Sequence, residues 1–163
     1  MLKIGKLTDY ATIVLSTLAD CGSAPTPARD LADRTGIGSA TVAKLLKSLQ
    51  RADLVESARG IRGGYQLAKS ATQISAADII EAIEGPVALT SCSQAHTSCD
   101  LESVCGMGPA WQQINTGIVN ALRAISLDDM RNKRDIPIDI PLRPLNQSAV
   151  FSSAHASNSR REA

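Results

Sequence analysis

The chain has 163 residues, a formal net charge of +1 and only 2% aromatic side chains, so Leu, Ile, Val and Ala must build its core. The length suits one domain with a modest core, or one small domain with appendages. No run of about 18 apolar residues exists and the first residues lack the charged head, apolar stretch and cleavage site of a secretion signal, which argues against a membrane segment and predicts a cytoplasmic protein.

The near-neutral total hides a segregation: residues 1–70 carry ten Lys/Arg against six Asp/Glu, residues 71–130 one against seven, and residues 131–163 six against three. Such an arrangement lets one end of the chain meet phosphates while the acidic part faces elsewhere. In chain order, Tyr10, Ile13, Val14, Thr17 and Leu18 recur at helical spacing after Thr8, a plausible N-cap. Pro25 stops that helix, Thr26-Pro27 restarts another with Ala28, Leu31 and Ala32 inward, and Gly36 ends it. A Gly36-Ile37-Gly38-Ser39 turn then leads to a third helix. Its stripe Val42, Leu45, Leu46 and Leu49 faces inward, and Ala40, Lys44, Lys47 and Arg51 fall on the opposite, basic face.

Two short helices joined by a glycine turn, the second with a basic outer face, match a helix-turn-helix. Two strand-like runs, Leu54-Val55-Glu56-Ser57 and Tyr65-Gln66-Leu67-Ala68, flank Arg59-Gly60-Ile61-Arg62-Gly63-Gly64, which predicts a β-hairpin wing whose arginines reach phosphates or a narrow minor groove. The DNA-binding set is therefore Ser39 and Thr41 for hydroxyl bonds, Lys44 and Lys47 on the recognition helix, and Arg59, Arg62, Gly63 and Gly64 in the wing.

Ile74-Ser75-Ala76-Ala77-Asp78-Ile79 combines an N-cap, an acidic N3 residue and an apolar staple, opening a fourth helix over 75–84 that Gly85-Pro86 ends. Cys92, Cys99 and Cys105 follow, with six and five residues between them. In a reducing compartment such thiolates point to metal or redox chemistry rather than to structural disulfides. The wide gaps favour an iron-sulfur cluster over zinc, which prefers close pairs. A thiol enzyme would need a base beside its nucleophile, yet the histidines are His96 and His155 alone, and no constellation surrounds them. Isolated Cys21, at a helix end, reads as a packed thiol.

From Pro109, Trp111, Ile114, Ile118, Ala121 and Ile125 repeat at intervals of three and four, a short heptad seam suited to a homodimer. The expected organisation is a mainly α fold with a small β-hairpin. A winged helix-turn-helix domain occupies 1–85, a cysteine-rich cluster loop 86–108, a long dimerisation helix 109–130 and a disordered, Pro- and Ser-rich tail 131–163.

This order, with Arg59-Gly60-Ile61-Arg62-Gly63-Gly64-Tyr65 in the wing and three cysteines after it, resembles the Rrf-type winged-helix regulators of bacteria, in particular their IscR/NsrR-like members. Lys6-Leu7-Thr8-Asp9-Tyr10-Ala11 together with Ile83-Glu84-Gly85-Pro86-Val87-Ala88-Leu89 is most similar to the branch that regulates the SUF iron-sulfur assembly operon. The resemblance spans about residues 1–130. It implies a dimeric repressor of a palindromic operator whose Cys92, Cys99 and Cys105 hold a 2Fe-2S or 4Fe-4S cluster. One part of the family supplies the fourth ligand as a histidine three residues past the third cysteine, where this chain has Gly108. Another part uses an aspartate of the partner's first helix, which matches Asp9. Asp9 is thus the preferred ligand and His96 the runner-up, while the plain alternative for Asp9 is a first-turn aspartate favoured by the helix dipole.

Overall fold

The computed structural model describes residues 4–60, 63–90 and 106–132. Its elements are α1 (Lys6–Asp20), α2 (Ala28–Thr35), α3 (Ser39–Arg51), β1 (Val55–Ala58), β2 (Gly64–Leu67), a 3-10 turn (Ala71–Gln73), α4 (Ala76–Glu84), α5 (Gly108–Arg123) and α6 (Leu127–Arg131). The two strands pair antiparallel with Val55 opposite Leu67 and Ala58 opposite Gly64. This is the expected mainly helical fold with one hairpin. No helix among the described residues is long and apolar enough to cross a membrane.

α3 forms as its sequence dictates. Val42, Leu45, Leu46 and Leu49 are buried, while Ala40, Lys44, Lys47 and Arg51 are exposed. Gly36 ends α2 at φ 68°, a left-handed position that a side chain disfavours, and so sets the turn between the two helices. α2 itself begins one residue later than the sequence suggests. Pro27 takes the cap position, and the Thr26 hydroxyl donates to the Ala24 carbonyl instead of capping the helix.

α1 departs from its expected face. The buried residues are Thr8, Ala11, Val14, Leu15 and Leu18, while Ile13 is exposed. The stripe with polar Thr8 wins because Thr8 is satisfied inside: its hydroxyl donates to Glu84 Oε1 at 2.7 Å, which removes the penalty of burying an unpaired polar group. Nor is Thr8 the N-cap. The helix starts at Lys6 with Gly5 at the cap position.

The helix expected over 109–130 is broken. α5 ends at Arg123, and a new capping box at Ser126 and Asp129 starts α6. Ile125 therefore leaves the seam. The break lets the chain fold back: Ala76 N–H donates to the Ile125 carbonyl at 2.8 Å and Leu127 N–H to the Ile74 carbonyl at 2.7 Å. Ser75 and Ser126 stand opposite each other across this bridge. Leu127 then sits in the same core as Leu15, Leu18, Leu31, Leu46 and Ile74, fully buried. Arg131 seals the junction by pairing with Asp20 at the end of α1.

Candidate nucleic-acid interface and cysteine segment

The outer face of α3 presents Ser39, Lys44 and Lys47 to solvent, with Thr41 half-buried at its edge. Among the described residues Lys44 and Lys47 make no salt bridge, so both ammonium groups stand open to phosphate or a base edge. Arg51 does not share that freedom. Its guanidinium folds back onto the Lys47 carbonyl at 3.2 Å and Ser48 Oγ at 3.3 Å.

The hairpin is fastened to the helix-turn-helix at two places. Gln50 Nε2 on α3 donates to Ser57 Oγ on β1 at 3.1 Å. Thr26 and Tyr65 exchange both backbone bonds at 2.9 Å, a single antiparallel bridge between β2 and the chain just before α2. The last contact explains the glycines. A Cβ on Gly64 would stand 2.5 Å from the Thr26 carbonyl carbon, and one on Gly63 would stand 2.5 Å from the Ala58 carbonyl oxygen. Both glycines thus let the wing close on itself and on the helix-turn-helix. Arg59 is exposed beside Gly60, whose φ of 114° shapes the turn, and Arg62 lies outside the described residues.

Cys92, Cys99, Cys105 and His96 also lie outside the described residues, and among those described no group of three or more His, Cys, Asp or Glu could hold a metal. The approach to the cysteines is well defined. Glu84 ends α4, and Gly85, at φ 91°, redirects the chain. Asn115 on α5, buried to 9% exposure, donates to the Val87 carbonyl and accepts from Leu89 N–H, each at 3.1 Å. Both polar ends of this amide are satisfied by the strand of chain it holds. The heptad pattern passed over Asn115, a polar residue that buries itself by clasping backbone.

Asp9 is exposed on the first turn of α1, and its carboxylate has no hydrogen bond or ion pair among the described residues. It borders an open, mostly apolar groove of about 770 Å³ between α1, α4 and the ends of α5 and α6, lined by Ile4, Ile79, Leu122, Ile125 and Met130. Gly108 opens α5. On α5, Trp111 is 41% and Ile114 48% exposed, so the first half of the seam turns its large apolar residues outward, whereas Ile118 and Ala121 are half-buried. Cys21 is half-buried at the end of α1, with Arg34 Nη1 3.2 Å from its sulfur.

Residues 4–133 match the family model Rrf2, described as an iron-dependent transcriptional regulator. The chain is similar to the HTH-type transcriptional regulator IscR of Pectobacterium atrosepticum, 30% identical over 77% of this chain and 76% of the relative. It is also similar to protein rrf2 of Nitratidesulfovibrio vulgaris, 30% identical over 79% and 87%. Among solved structures it is similar to CymR, the global cysteine regulator of B. subtilis, with a TM-score of 0.62 and 27% identity over 83% of this chain and all of that one. IscR of T. potens gives a TM-score of 0.59 and 26% identity over 82% and 89%.

Proposed function

The chain belongs to the Rrf2 family of transcriptional regulators, and we propose that it is a homodimeric repressor that reads iron-sulfur status through its cysteines and controls SUF-type assembly genes. It is a DNA-binding regulator and not an enzyme, as are the relatives named above. The observation that carries the finer reading is the placement of Cys92, Cys99 and Cys105 directly after a segment that leaves the winged helix at Glu84, itself bonded to α1, and that Asn115 holds against α5. In functional terms residues 1–85 grip DNA, residues 86–108 hold the cofactor and α5 joins two copies, with the tail 131–163 outside these roles.

The donor set suits the cofactor. Three thiolates are soft, anionic ligands of the kind that 2Fe-2S and 4Fe-4S clusters take, and Asp9 offers a harder but also anionic carboxylate, open on the first turn of α1. When bound, the cluster supplies a group that iron shortage or oxidants can remove. The residues of the chain do the rest. Trp111 and Ile114 of α5, exposed in the single chain, pack against their equivalents in a second copy. If Asp9 of the partner subunit completes the ligand set, cofactor occupancy fixes the separation of the two recognition helices. A palindromic operator reads that separation, since both half-sites must be engaged at once. Lys44 and Lys47 then lie in the major groove with Ser39 and Thr41 at the start of the helix, and Arg59 and Arg62 reach the flanking backbone.

The test is an absorption spectrum of anaerobically purified protein with iron, sulfide and zinc assays. Visible bands that disappear in Cys99→Ala and fade faster in air in Asp9→Ala, with His96→Ala unaffected, are the expected result. Loss in His96→Ala with an unaltered Asp9→Ala would move the fourth ligand into the cysteine loop. A second reading draws on the similarity to the cysteine regulator CymR: the same thiols act without a cluster, through zinc or a reversible disulfide. Colourless protein with stoichiometric zinc, or with a thiol count that falls on oxidation, would favour it.

A further inference from the structure

The N-terminus of α1 has no cap of its own. Gly5 at the cap position brings no side chain, and Thr8, which the sequence offers as the cap, lies inside the helix. The missing acceptor comes from 79 positions away in the chain: Glu84 Oε1 accepts from Gly5 N–H at 3.1 Å and from the Thr8 hydroxyl at 2.7 Å. A carboxylate there satisfies an orphan donor and suits the positive end of the helix. The contact also dictates the residue at position 5, because a Cβ on Gly5 would overlap the Glu84 carboxylate.

Glu84 is the last residue of α4. Immediately beyond it Gly85 turns the chain into the segment held by Asn115 and leading to Cys92. One side chain therefore joins the approach to the cysteines with the turn of α1 that carries Asp9, and α1 packs on both α2 and α3 of the helix-turn-helix. We propose that Glu84 is a positioning residue that relays the state of the cysteine segment to the helix-turn-helix, by capping α1 in one state and withdrawing from it in the other. This rests on the reading of the cysteines as the sensor. A cap supplied by an exposed side chain at a helix end is suited to such switching: a displacement at residues 85–89 that draws Glu84 away takes from Gly5 N–H and the Thr8 hydroxyl the one side-chain acceptor they have among the described residues.

The experiment measures affinity for a DNA duplex selected in vitro by the wild-type protein, with each variant reconstituted with iron and sulfide or stripped by chelator. Coupling between two sites in regulatory proteins commonly spans about 5–150-fold. Glu84→Ala should shrink the ratio of loaded to stripped affinity to within about twofold, whereas Glu84→Gln, which keeps an acceptor oxygen, should retain most of the wild-type ratio. Amide exchange at Thr8 and Asp9 should differ between loaded and stripped wild type and should be fast in both states of Glu84→Ala. A Glu84→Ala protein that binds DNA more weakly in both states but keeps the wild-type ratio would show a cap that is only structural, and would overturn the relay. Should the wild type hold no cluster, the functional reading falls by its spectrum alone. The same ratio is then taken between thiol-reduced and disulfide-oxidised protein, where collapse in Glu84→Ala supports the relay and retention, or a wild-type ratio of one, overturns it.

Discussion

α3 and the α5–α6 segment are both amphipathic, and their sequences advertise apolar periodicity about equally well. Yet α3 takes the two faces its pattern predicts, while the expected helix over 109–130 splits at Ala124–Ser126 and sends Leu127 into the winged-helix core. The difference lies in where the deciding contacts come from. α3 is bounded by local signals, Gly38 before it and the turn at Ala52 and Asp53 after it, and its stripe meets partners within the same domain. The α5–α6 junction is decided by Ile74, Ser75 and Ala76, some fifty residues earlier, which take up its backbone hydrogen bonds.

On that contrast, the C-terminal end of the described chain is as much core as the recognition helix is. Leu127→Ala should cost about 2–5 kcal/mol in chemical denaturation, the range for a buried leucine whose cavity cannot collapse. A cost under about 1 kcal/mol would mean α6 is an appendage and the winged helix stands without it. Next in size is the wing. Gly64→Ala should force Thr26 and Tyr65 apart, with an overpacking cost of about 1–3 kcal/mol. Its DNA affinity should fall while the helical circular dichroism signal stays, because the hairpin loses its seat and α3 does not. Unchanged affinity would show that the wing contributes nothing at the interface.

Much of the architecture was legible from residues alone, for identifiable reasons. Gly36, the Leu45-Leu46-Leu49 stripe, the Arg-Gly turn and the Ser75-Asp78 capping box are signals whose meaning is complete within a few residues. What escaped was settled at long range. Thr8 reads as an N-cap until Glu84 is placed beside it, and Asn115 reads as a polar gap in a heptad until Val87 and Leu89 are clasped by it. Ser126-Leu127-Asp128-Asp129 is the informative miss. It repeats the Ser75-Ala76-Ala77-Asp78 cap, but an apolar period runs straight through it and masks the signal. Of the candidate site, the α3 residues, Arg59, the two wing glycines and Asp9 are on the page of the structure, whereas the cysteines lie outside the described residues.

The twin caps allow a finer comparison. Ser126 accepts from Asp129 N–H at 3.1 Å just as Ser75 accepts from Asp78 N–H at 3.1 Å. Ser126→Ala should cost about 1 kcal/mol, the usual worth of an N-cap, and Ser75→Ala a similar amount. If the two sites form one unit across the Ser75–Ser126 bridge, the double variant should cost less or more than the two single costs together. Strict additivity would separate them into independent helix ends.

The smallest effect is a pH dependence, and its sign follows from Asp78. Burial alone would raise this carboxyl. The Ser75 backbone N–H and hydroxyl, with Lys69 at 3.6 Å, outweigh that burial and hold it below its ordinary value of 3.8. A carboxyl depressed in the folded state releases its proton more readily there than in the unfolded chain. Its contribution is therefore complete above the ordinary value and is lost as pH falls below it toward the folded value. The Lys69 part is solvent-exposed and screened, so it should be worth about 0.5 kcal/mol or less and should fade with salt. The hydrogen bonds from Ser75 should not fade. Asp78→Asn keeps an oxygen that can accept the Ser75 N–H but cannot titrate. The difference in stability between wild type and Asp78→Asn should accordingly narrow as pH drops from neutral to about 3, and most of that narrowing should survive in high salt. A difference that stays constant with pH would mean that Asp78 acts through hydrogen-bond geometry alone.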